Sequence, residues 1–139
     1  MKKVLLLALL SASFAFQSCN HGSGIGSGSS YQEKVMSVAE IEQANPAQFL
    51  DASGTYRENF WGDLMKVNGT IENNATVANY KDVIIEVTLY SQTETVLDTK
   101  RYVVYDYFPA HSKKTFLLKI PKVDGCKKLG WTAVGATPY

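Results

Sequence analysis

The chain has 139 residues, 45% hydrophobic, 19% charged and 12% aromatic, with a formal charge of +1. That length holds one domain of about 100–150 residues and a leader, which excludes a second full domain; the composition excludes a disordered chain or a multispanning membrane protein. The near-neutral balance lacks the clustered Lys and Arg by which a nucleic-acid-binding surface displaces counterions, so no nucleic-acid partner is expected.

Residues 1–18 open with Met1, Lys2 and Lys3, run apolar from Val4 to Leu10 and end on Ser18. A basic start, a short apolar centre and a small residue before the cut make a secretory signal peptide. The apolar run is shorter than the roughly 20 residues of a transmembrane helix. Cys19 follows at once, and the ending resembles the lipobox of bacterial lipoproteins, with Phe16 and Gln17 in place of the usual Leu and small residue. Loose "SC" endings of this kind resemble those of Bacteroidetes-type lipoproteins. The resemblance implies acylation of Cys19 as the mature N-terminus, and with it a place in a Gram-negative cell envelope, lipid-anchored at the outer membrane, on the periplasmic or the surface side. Several acyl chains on one cysteine hold a domain at a membrane stably, where a single chain does so marginally. Loss of Lys2 and Lys3 with the leader leaves twelve basic against thirteen acidic residues, a net charge of −1. A Cys19–Cys126 disulfide is the alternative in an oxidising envelope; it would tie a flexible tail to a late loop.

Residues 19–30 continue as a Gly/Ser tether of about 20 Å mean reach. They are no dinucleotide fingerprint: the sixth position of G-x-G-x-x-G is Ser27 counted from Gly22 and Ser29 counted from Gly24, and no strand precedes it. His21 is a polar linker residue.

Residues 31–139 form the single folded domain, with a helix and packing segment over 31–62 and the sandwich core over 63–139. Ser37 followed by Glu40 is a capping-box pattern, and Pro46 is a stop; about two turns of helix are expected, with Val38 and Ile41 turned inward. Phe49, Leu50, Tyr56, Phe60 and Trp61 carry the apolar surface of the next segment, one short strand or an extended packing piece. From Leu64 the period becomes two. Met65, Val67 and Ile71 share one face, as do Val83, Ile85, Val87 and Leu89, then Phe116, Leu118 and Ile120, and finally Trp131 and Ala133. Turn-type clusters at 73–79, 91–95, 109–112 and 124–125 separate these runs. Strands joined by short turns predict a mainly β fold, an antiparallel immunoglobulin-like sandwich of about seven strands with a short N-terminal helix. Val96–Phe108 does not alternate cleanly: Tyr102, Val104 and Phe108 share one parity, Leu97, Val103, Tyr105 and Tyr107 the other. Either a bulge near Val103 or Val104, or cover on both faces, with Tyr56, Phe60 and Trp61 on the second, resolves the conflict.

The stretch Gly69–Ile120, with "NGTIENN", "KDVIIEVTLYS" and "TETVLDTKRYVVYDYFPAHSKKTFLLKI", resembles the FxLYD family of small extracytoplasmic β-sandwich domains. The name motif reads Val87-Thr88-Leu89-Tyr90-Ser91, departing at its first and last positions. Ser91 must then supply any turn hydrogen bond made by the family's Asp. The resemblance implies an immunoglobulin-like sandwich in the envelope and carries over no catalytic residue.

Catalytic, metal and cofactor signals are absent: His21 and His111 are the only histidines, and no paired C-x-x-C, H-E-x-x-H, G-x-S-x-G or phosphate loop occurs. His111 reads as a solvated turn residue and Cys126, beside two lysines, as a semi-buried free thiol. Asn68-Gly69-Thr70 and Asn74-Ala75-Thr76 fit glycosylation sequons but read as strand ends starting turns. The remaining signal is aromatic: Tyr90, Tyr105 and Tyr107, with Val103 and Ile84, share an outward parity and make a candidate binding face. The expectation is a non-enzymatic, lipid-anchored envelope protein that mediates protein–protein interaction or assembly. Its alternatives are a glycan-binding surface lipoprotein using the aromatic face, and a small envelope hydrolase with two carboxylates meeting in space.

Overall fold

The computed structural model describes residues 34–139. The expected signal peptide, Cys19, the expected tether and residues 31–33 lie outside the described residues. Helix α1 (Val38–Ala44) is followed by a 3-10 turn (Pro46–Gln48) and six strands: β1 (Leu50–Glu58), β2 (Leu64–Asn73), β3 (Tyr80–Tyr90), β4 (Val96–Phe108), β5 (Lys113–Pro121) and β6 (Lys128–Pro138). They form two three-stranded antiparallel sheets, in the orders β1-β2-β5 and β4-β3-β6. The fold is mainly β and sandwich-like, with six strands among the described residues where the sequence suggests about seven.

The alternating runs bury as expected, because each sheet turns one face to the other. Met65, Val67 and Ile71 of one sheet meet Val83, Ile85, Val87 and Leu89 of the other, all 0–1% exposed. Trp131 and Ala133 also turn inward, and Trp131 meets the Tyr56 ring edge to face at 6.1 Å. The segment before Leu64 belongs to the sandwich, since β1 pairs with β2 along its whole length.

Ser37 caps α1 with both bonds of the capping box: the Glu40 N–H donates to Ser37 Oγ, and the Ser37 N–H donates to Glu40 Oε2. The inward face of α1 is not the expected one. Val38 and Ile41 stay exposed, and the buried side chain is Glu42, 2% exposed. Its Oε1 accepts the Thr76 N–H and Oγ1–H at 2.7 Å each, and its Oε2 accepts the Val77 and Ala78 N–H groups at 3.0 and 2.8 Å. The Tyr80 hydroxyl donates to the Glu42 carbonyl at 2.7 Å. A fully bonded carboxylate outbids a Val or Ile that one short helix could only half cover.

Asn73, at 0% exposed, closes the same end of the sandwich. Its Nδ2 donates to the carbonyls of Ala78 and Phe108, and its Oδ1 accepts the Ala75 N–H. The Asn74 sequon therefore lies in a turn, as expected, with the Thr76 hydroxyl engaged by Glu42. Asn68-Gly69-Thr70 does not end a strand. It sits inside β2, where Gly69 leaves room for the Phe116 ring.

Phe60 and Trp61 were expected to pack and instead protrude from the β1–β2 turn, 93% and 83% exposed, edge to face at 5.4 Å. The tip closes through Gly62, whose N–H donates to the Asn59 carbonyl and whose φ of 74° is one that a glycine adopts without strain.

Candidate functional site

β4 alternates without a break and its second face is left uncovered: Tyr102, Val104 and Phe108 turn inward, while Leu97, Val103, Tyr105 and Tyr107 stay exposed. Val104 pairs with Val83 and Tyr107 with Lys81, so Tyr105 and Asp106 together face Asp82, whose φ is 52°. This bulge falls one step beyond Val104, and the change of parity that goes with it lies in β3, where Tyr80 and Val83 are both buried. The alternative, cover by Tyr56, Phe60 and Trp61, does not occur: Tyr56 lies on Trp131, and the other two stand at the hairpin tip.

Val103, Tyr105 and Tyr107 are 38%, 82% and 58% exposed. Val103 pairs with Ile84, which shares the outward face. Tyr107 meets Tyr139 edge to face at 5.0 Å, so its ring is propped by the C-terminal residue. Beneath them Asp106 accepts Lys114 Nζ from β5 at 2.6 Å and the Tyr107 N–H at 2.7 Å. The Lys114 ammonium first, and then that N–H, hold the Asp106 carboxyl below its ordinary range. Lys81, Asp82, Tyr105, Asp106 and Tyr107 line a shallow cleft of about 380 Å³.

Tyr90 does not join them. It has the same outward parity but stands at the far end of β3, eight residues from Asp82, or roughly 26 Å at strand rise. Its ring lies over Gly130, where an added Cβ would come within 3.3 Å of it. The expected face of four residues is thus a patch of three, with Tyr90 packed separately.

Edge strand β4 is guarded. Asp98, Lys100 and Asp106 share its inward parity, and Asp98 pairs with Lys100 at 3.1 Å. Inward charges on an edge strand oppose open-ended addition of further strands, because a flush neighbour would bury them. The patch is therefore accessible through its side chains more than through its backbone.

The Ser91 hydroxyl oxygen accepts the N–H groups of Thr93 and Thr95 at 3.2 Å each. These two bonds close the turn between β3 and β4.

His111 is exposed in the β4–β5 turn at φ 59°. Cys126 is more buried than expected, at 0% exposed, with its thiol 3.6 Å from the Lys128 carbonyl. Among the described residues no group of three or more His, Cys, Asp or Glu side chains converges as metal ligands would.

Sequence reasoning missed Glu42 and Asn73, the two buried polar side chains that fix the β2–β3 loop. Their only local signal is the polar loop 73–79, which does not say which acid it receives. Compared with protein-family models, with curated proteins and with solved structures, the chain has no significant match.

Proposed function

We propose that this chain is a lipid-anchored, non-enzymatic β-sandwich protein of the cell envelope, and that it binds a protein partner through Val103, Tyr105 and Tyr107. The observation that carries the reading is the joint exposure of these three side chains on one outward face, next to Ile84 and propped by Tyr139. Tyrosines that offer large, rigid surface at low entropic cost are frequent anchors of protein interfaces, and an adjacent apolar strip supplies the dry centre such interfaces need. The guarded edge of β4 favours recognition by side chains over strand addition.

The address rests on the sequence at Cys19 and the tether behind it. Likeness to FxLYD-type domains is part of the same reading and is supported by the β3 turn, where Ser91 replaces the Asp. The test is a photo-crosslinking residue at position 105 in the anchored full-length protein. A discrete protein adduct from position 105 and none from position 90 is expected; equal or absent adducts at both would overturn the reading. In the same cells Cys19→Ala should abolish acyl labelling and release the protein from membranes.

A further inference from the structure

The second sheet carries an unrelated feature on its outer face. Arg57 of β1 stands opposite Lys66 of β2, and Lys66 stands opposite Lys119 of β5, so three cations share one register row across all three strands. Their side chains take the outward parity, opposite to buried Met65, Val67 and Ile120. Like charges directly opposite on neighbouring strands destabilise a sheet, so folding alone gives this arrangement no benefit.

Nor are the charges neutralised by neighbours. Among the described residues Lys34, Lys100, Arg101, Lys113, Lys114, Lys122 and Lys128 each have a carboxylate within 4 Å. Arg57, Lys66 and Lys119 have none there. The adjacent acid Glu58 has the opposite parity and is held by Lys122 at 2.7 Å. On the outward face the nearest acid of β2 is Glu72, roughly 20 Å along the strand, and it pairs with Lys113. The next outward row is neutral: Thr55, Asn68 and Leu117.

We propose that this row binds a linear acidic polysaccharide of the carboxylate-bearing, uronate type. Strands lie about 4.8 Å apart, so the cations present charge at that step over roughly 10 Å, a spacing comparable to the length of one pyranose unit. An extended chain crossing the strands meets one cation per strand. Thr55 and Asn68 beside the row offer short hydroxyl and amide groups to sugar hydroxyls. Beside the row the face forms a shallow cleft of about 470 Å³ along Asn68, Thr70, Thr115 and Leu117, and beyond Leu117 it has little apolar surface, which fits a hydroxyl-rich polymer better than a protein needing a dry interface core. An anionic bilayer fits less well, because Trp61 of the aromatic hairpin tip that would enter it shares a cleft with Asp63 and Asp124 as well as Lys122 and Lys127, and Lys122 is held by Glu58, so the tip adds no net positive charge to the row. This site is independent of the tyrosine patch on the other sheet.

The test is binding of purified full-length Cys19→Ala protein, which carries no acyl chain to enter a bilayer, to polygalacturonate, with dextran as the neutral control and phosphatidylglycerol vesicles as the membrane control, over a series of salt concentrations. Binding to polygalacturonate alone is expected. Arg57→Gln/Lys66→Gln/Lys119→Gln should weaken it at least tenfold and lower the slope of log affinity against log salt by roughly two to three. The variant should melt no lower than its Cys19→Ala parent, since repulsion is removed. Lys81→Gln/Lys127→Gln, which removes two other unpaired cations, should leave affinity within twofold, as should Tyr105→Ala/Tyr107→Ala. The proposal is overturned by no binding of the Cys19→Ala parent to polygalacturonate, by triple-variant binding within twofold of that parent, or by charge-dependent binding to the vesicles without binding to polygalacturonate.

Discussion

The Glu42 carboxylate on α1 accepts the backbone N–H of Ala78 at 2.8 Å, joining the first helix to the loop that separates the two sheets. With Thr76 and Val77 contributing as well, three successive N–H groups and one hydroxyl surround a single side chain. Burial would raise the Glu42 pKa, but these donors outweigh it and bring the carboxyl down to about 2. Because the folded pKa lies below the unfolded one, this carboxylate contributes its full stability above about pH 4.5 and loses it as pH falls toward 2. Glu42→Gln should lower the neutral-pH Tm by on the order of 10 °C. In acid titrations followed by circular dichroism, the gap between variant and wild type should narrow between pH 4.5 and 2; a gap independent of pH would contradict this role.

Asn73 makes a sharper chemical test, because it uses both ends of its amide. Asn73→Ala leaves the carbonyls of Ala78 and Phe108 and the N–H of Ala75 without partners, which should cost about 3 kcal/mol in urea unfolding. Asn73→Asp keeps the acceptor for Ala75 but turns an oxygen toward two carbonyls. At neutral pH it should be less stable than the Ala variant, and the order should reverse or close in acid as the carboxyl protonates.

Gly69 faces Phe116 across the β2–β5 pair, and an added Cβ would collide with that ring and sit 2.8 Å from the Ser53 carbonyl. Gly69→Ala should therefore destabilise by about 2 kcal/mol. Combining it with Phe116→Leu should recover part of the loss, measurable as a non-additive double-mutant cycle. Strict additivity would mean the ring is not the obstacle.

What the sequence made legible follows from the range of the interactions. In β2, β3 and β5 the two-residue alternation is local, so Val83, Ile85, Val87 and Leu89 could be placed on the core side from spacing alone. Glu42 could not, because its donors lie 34–36 residues away in a loop whose amides become an anion site only after both sheets have formed. The parity of Tyr90 was legible, whereas its distance from Tyr105 depends on strand register. Phe60 and Trp61 misled because size and hydrophobicity suggest burial, while both stand in the hairpin tip that closes through Gly62. The row Arg57, Lys66 and Lys119 is invisible in one dimension, since its members meet only through pairing.

The proposed function stands on the patch of Val103, Tyr105 and Tyr107, and its most direct test is quantitative partner capture from the native envelope with wild-type protein and Tyr105→Ala/Tyr107→Ala. Both side chains are largely exposed, so the double variant should keep its Tm within about 2 °C. The account predicts that a specific protein partner recovered with wild type falls at least tenfold with the double variant and is retained with Tyr90→Ala. Undiminished recovery with the double variant, at unchanged Tm, would contradict it.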